Sequence, residues 1–227
     1  MNTPLKFTGT LLIVLFLVLP TIASSPKINW QAGHLLFWDR TVLEGDLSYN
    51  WAAEMISLRE PDGRIRAFSA NQVSEFGWFD FSLHKQRDFV SLVKHLDKSR
   101  VSQAFFEICI DGSLPVVRRL RTRHGFLKRA FSHPVYSNDQ PTLTQNAEHF
   151  DYFVYDAGRL LALDRYYLDI YDPLMTGYDR ELHQYVLTHN INDRTLPGRL
   201  VLINHYNWLV QHDTKAASAK ETVPIAN

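Results

Sequence analysis

A single cysteine, Cys109, in 227 residues excludes an internal disulfide, so stability has to come from packing. No apolar run reaches membrane length: the longest, Leu11 to Leu19, falls well short of the roughly 20 residues that span hydrocarbon. No charge of either sign dominates, with 24 Lys+Arg against 24 Asp+Glu, which removes any global pull toward nucleic acid or an anionic membrane. Also missing are the Gly-x-Ser-x-Gly elbow of serine hydrolases, the His-Glu-x-x-His pair of zinc proteases and a phosphate-cradling glycine loop. What remains is an aromatic-rich chain (13% Phe, Trp and Tyr), and aromatic side chains carry large buried areas.

The N-terminus reads as an address. Lys6, the run Leu11–Leu19 and the sequence Pro20-Thr21-Ile22-Ala23 form the basic, apolar and small-residue regions of a secretory signal peptide. Cleavage after Ala23 predicts a mature chain beginning at Ser24, exported to the periplasm or beyond, with no transmembrane segment left. No cysteine sits near the cleavage point to carry a lipid. Loss of Lys6 leaves one acidic residue in excess, and about 200 residues, enough for one large domain or two small ones.

Alternation and turn residues predict a mainly β fold with C-terminal helices. Short strands are expected at Leu35–Trp38, Val42–Tyr49, Met55–Leu58, Arg64–Phe68 and Val73–Phe81, with Pro61-Asp62-Gly63 as a tight turn and Gly45 as a bend. Five such strands cannot hide their edges as a flat sheet, so residues 24–98 are expected to close into a small barrel. Arg87–Leu96 is read as a strand. Residues 99–213 are expected to hold two hairpins, Phe105–Leu120 around Asp111-Gly112 and Tyr152–Leu163 around Asp156-Ala157-Gly158, and then two helices. The first carries the stripe Tyr178, Leu182, Tyr185, Val186 and His189; the second opens at Leu196-Pro197 and turns Leu202, Tyr206, Leu209 and Val210 inward. Residues 124–147 read as a long loop and 214–227 as a disordered tail.

The segments Gly45–Tyr49, Gly63–Val73, Phe105–Gly112 with Val116–Arg119, Tyr152-Phe153 and His205-Tyr206-Asn207 resemble a group of uncharacterised exported proteins common in Bacteroidota. That resemblance implies an Sm- or SH3-like small barrel joined to a hairpin-rich unit with a helical end. It implies no reaction.

Few constellations offer chemistry. Asp164, Asp169 and Asp172 lie among tyrosines, and Asp169 or Asp172 with a distant partner would suit an envelope carbohydrate hydrolase; exposed acids beside half-buried rings are the plainer reading. The ten histidines show no metal spacing: His183 and His189 point to opposed helix faces, and His205 and His212 lie roughly 10 Å apart along a helix. No metal or other cofactor is expected. Cys109, flanked by isoleucines, is expected to be buried and inert. The strongest charge feature is Arg118-Arg119-Leu120-Arg121-Thr122-Arg123 with Lys128-Arg129. Arg119, Arg121 and Arg123 are the candidate contacts for an anionic envelope component or an acidic protein, because guanidinium binds such groups bidentately; the alternative is a solvated strand edge. An exported, non-enzymatic binding or envelope-assembly protein is the first functional expectation, ahead of the hydrolase and of a structural subunit in an envelope complex. Nucleic acid is not an expected partner.

Overall fold

Strand-forming runs alternate with turn residues from the start of the described chain, and in the computed structural model, described over residues 29–97, 100–121 and 147–213, each run becomes a strand. Ten strands follow in order: β1 Gln31–Phe37, β2 Val42–Asn50, β3 Met55–Arg59, β4 Ile65–Ser69, β5 Val73–Asp80, β6 Lys85–Asp97, β7 Arg100–Ile110, β8 Val116–Leu120, β9 Phe150–Asp156 and β10 Arg159–Ala162. All neighbours are antiparallel. The expected turn at Pro61-Asp62-Gly63 is tied by Gly63 N–H to Glu60 O (2.9 Å) and by Arg64 N–H to Asp62 Oδ1 (3.0 Å).

The sheet is one continuous surface ordered β10-β9-β8-β7-β6-β5-β1-β2-β3-β4. No described pairing joins β4 to β5, the two ends of the first five strands, so the expected small barrel is not closed. The first five strands nevertheless curl. Four strand spacings separate β5 from β4, about 19 Å if flat, yet the connection from Ser69 to Val73 reaches only about 14 Å. Phe37 of β1 therefore meets Phe68 of β4 edge-on at 5.1 Å, and Trp38 donates its indole N–H to Ala70 O at 3.2 Å. Gly45 and Gly33 face each other across β2 and β1 and permit this bend: a Cβ on Gly33 would stand 2.3 Å from the carbonyl oxygen of Gly77.

Inside the curl Tyr49, Trp51, Phe76, Phe89 and Phe105 form an aromatic core, with Phe76 and Phe89 stacked at 4.5 Å. Trp51 passes it on to Phe150 of β9, and the same core continues to Leu182 and Ile203 of the helices. After β10, a short 3₁₀ turn leads into π-helical Tyr166–Met175, a segment where Pro173 has no amide hydrogen to give to an α-helical ladder. Helix α1 spans Asp179–His189 and stops at Asn190, which takes the left-handed conformation (φ 50°). Helix α2 spans Leu196–His212, with Thr195 accepting Gly198 N–H at its start and Pro197 in the first turn. No helix among the described residues is long and apolar enough to cross a membrane.

Candidate functional site

The run Arg118–Arg121 lies at the end of β8, where alternation separates its members. Arg118 turns into the core. There Glu107, 1% exposed, accepts Arg87 Nε–H at 2.9 Å on one oxygen and Arg118 Nε–H at 2.6 Å on the other. Asp80 stands 3.5 Å from Arg87. The Arg87 guanidinium lies 5.2 Å from the Trp78 ring and that of Arg118 lies 4.2 Å from Phe150. Burial pushes the Glu107 carboxyl upward, but the charges of Arg87 and Arg118 and their hydrogen bonds more than offset it, so the group is held below its ordinary value.

Arg119 and Arg121 do not form the open cationic patch expected from the sequence. Arg119 is buried, 3.7 Å from Glu54 and 5.9 Å from the centre of the Phe106 ring. Arg121 is exposed but engaged, with Nε 2.7 Å from Asp151 Oδ1 and Nη2 donating to Phe150 O. Arg123 lies outside the described residues. Substitution separates the two: Arg119→Gln, which disturbs a buried cation, should lower unfolding free energy by about 1–3 kcal/mol, and Arg121→Gln by less than about 1 kcal/mol, both read from urea unfolding.

Arg121 borders a groove of about 430 Å³. The start of β9, the β10 exit at Leu163-Asp164 and the first turns of α2 complete it, and Arg199 of α2 forms its far wall. Arg199 donates from Nη1 to Leu163 O at 2.6 Å and from Nε to Asp193 O at 3.3 Å, and its plane lies 5.6 Å from the Tyr166 ring. All three contacts are uncharged, and no ion pair involves Arg199 among the described residues. The side chain is thus fixed in place while its charge remains uncancelled by a hydrogen-bonded carboxylate. Two acids, Asp151 and Asp164, also line the groove; Asp151 neutralises Arg121. Asp164 is exposed, so the groove holds as many carboxylates as guanidiniums, and half-buried Arg199 is the cation without a hydrogen-bonded carboxylate, a residue whose position inside an apolar helix gave no signal.

The acids singled out for hydrolysis are not assembled. Asp169 pairs with Arg165 of the preceding 3₁₀ turn at 3.1 Å, Asp172 is exposed, and neither lines the groove. Three histidines join a ring stack across α1 and α2 in the order His189, Tyr185, His205, Trp208, His212, with neighbouring centroids 3.7–5.7 Å apart. Trp208 thus fills the gap between His205 and His212. The described residues hold no group of three or more His, Cys, Asp or Glu able to bind a metal ion. Cys109 is exposed and not buried as expected, because the β7–β8 pairing skips it: Ile108 faces Val117 and Ile110 faces Val116, which makes it the extra residue of a bulge. Protein packed around its sulfur, and then Glu107, still push the thiol up to about 12.

No protein-family model, curated protein or solved structure matches the chain.

Proposed function

We propose that this chain is an exported, non-enzymatic binding protein that holds an anionic component of the cell envelope in the groove between the β8–β9 end of the sheet and the start of α2. The observation that carries the reading is the arrival of Arg121 and Arg199, distant in sequence, on one groove, the second fixed by neutral acceptors alone. An arginine positioned in advance loses little freedom when it captures a carboxylate or phosphate. Export rests on Lys6, the run Leu11–Leu19 and Ala23. For the first five strands we propose an incompletely closed relative of the Sm and SH3-like barrels, a description supported by β1 lying between β5 and β2 and by the Phe37–Phe68 contact. Membership in the exported Bacteroidota group is part of the same proposal.

The test is retention of acidic material from envelope extract on immobilised protein. Arg121→Gln/Arg199→Gln should retain at least about tenfold less than the parent, and raised salt should reproduce the loss. The retained material should elute chemically unchanged. Equal retention by the double variant at low salt would remove the groove from the account, and a cleaved eluate would restore the hydrolase reading.

A further inference from the structure

The hairpin joining β5 to β6 overhangs its neighbours. Described pairing with β1 stops at Gly33–Trp78, and pairing with β7 stops at Phe89–Glu107. Beyond those points Phe79 pairs only with Gln86 and Asp80 only with Lys85, so the end of the hairpin has no further described strand partner on either side. Its tip is apolar: Phe81 is 71% exposed and Phe79 42%, with their rings edge to face at 5.1 Å and Leu83 half-buried beside them.

The tip is also fixed. Asp80, itself buried, accepts Ser82 N–H, the Ser82 hydroxyl and Leu83 N–H on Oδ1 (2.9, 2.6 and 3.1 Å), while its second oxygen faces Arg87. Single exposed apolar residues are ordinary, but here a pair of phenylalanines on an arm braced from the core is left uncovered by the described residues. The charges nearest the tip decide the occupant. Lys85 is exposed, Asp80 is buried against Arg87, and the only other carboxylate on the arm, Asp88, is half-buried at its base and accepts from Gln86 at 2.8 Å. An exposed apolar tip beside an exposed lysine matches a soft anionic surface.

We infer that the β5–β6 tip inserts Phe79 and Phe81 into the headgroup–acyl boundary of an anionic lipid bilayer, with Lys85 against the headgroups. Because Asp80 sets the turn beforehand, insertion orders nothing further, and the ring area removed from water supplies the drive.

Co-sedimentation with phosphatidylethanolamine–phosphatidylglycerol vesicles, against phosphatidylcholine vesicles, tests this. Phe79→Ser/Phe81→Ser should lower partitioning by at least about tenfold, and Lys85→Gln should lower it about fivefold on the anionic vesicles alone. All variants carry the same N-terminus, so differences between them isolate the tip. Phe81→Trp should still bind and shift its fluorescence to the blue on vesicles, a readout independent of the serine variants' folding. Binding to neither vesicle, equal binding by the double serine variant, or retention through these phenylalanines by a protein and not by lipid would each overturn the inference.

Discussion

Replacing Glu107 by Gln should lower the unfolding free energy by about 4 kcal/mol, measured by urea or guanidinium unfolding at neutral pH. The carboxylate is buried between Arg87 and Arg118 and gives one oxygen to each. An amide keeps the shape but removes the charge and turns an N–H₂ toward one guanidinium. Both guanidiniums then lose the Glu107 charge, Arg87 keeping Asp80 at 3.5 Å and Arg118 the Tyr152 hydroxyl at 3.4 Å, and removing one partner of a buried ion pair is among the most destabilising of single changes. The acid dependence follows from the same geometry. Glu107 is held below the ordinary 4.5 when folded, so its contribution is fully present above that value and is lost as pH falls through the folded-state value. The Gln variant should therefore show a shallower loss of stability below about pH 4.5 than the parent.

The second large effect is expected at the junction that seats α2. Asn207 accepts Leu114 N–H at 2.8 Å and donates to Leu114 O at 3.0 Å, locking the helix to the β7–β8 turn. Opposite it Gly112 has φ 138°, and a Cβ there would come within 2.7 Å of the Asn207 side chain. Asn207→Leu leaves both main-chain groups of Leu114 without that partner inside the core, so a loss of about 2–4 kcal/mol is expected. Gly112→Ala should act in the same direction, through strain and the clash. Because α2 also carries Arg199, both variants should weaken anion retention along with stability. Arg121→Gln/Arg199→Gln should weaken retention by more than its smaller loss of stability accounts for, a contrast that unfolding curves and binding measurements on the same samples resolve.

The strands were legible because their signals are local. Alternation in Val42–Asn50 and Val73–Asp80, the Pro-Asp-Gly turn, and Pro197 at the start of α2 each act within a few residues. Partner choice is not local: the run of strands suggested a closed barrel, but β5 returns to β1 and continues through β6 into the hairpins, so the edge is moved and not removed. The arginine run shows the limit most clearly. Read alone, Arg118 and Arg119 resemble a solvated edge, yet both are buried: the pairing of Glu107 with Arg118 across β7 and β8 draws Arg118 into the core, and Arg119 packs beside Phe106 and Glu54. Glu107 within Phe105–Ile110 was the available hint, since a lone acid inside an apolar strand needs a buried cation. Cys109 was misplaced because a bulge changes which way a residue faces, and its register depends on both strands. Arg199 is an isolated cation in an apolar helix, and only the fold brings it beside Arg121.

The most direct test of the groove is the guanidinium Nε–H resonance of Arg199, followed by ¹⁵N NMR during titration with inorganic phosphate and, separately, with acetate. Saturable movement of Arg199, a smaller response at Arg121, and none at buried Arg119 is the result predicted. An Arg199 signal that stays fixed, or that drifts without saturation together with every exposed arginine, would contradict the assignment of the groove as the anion site.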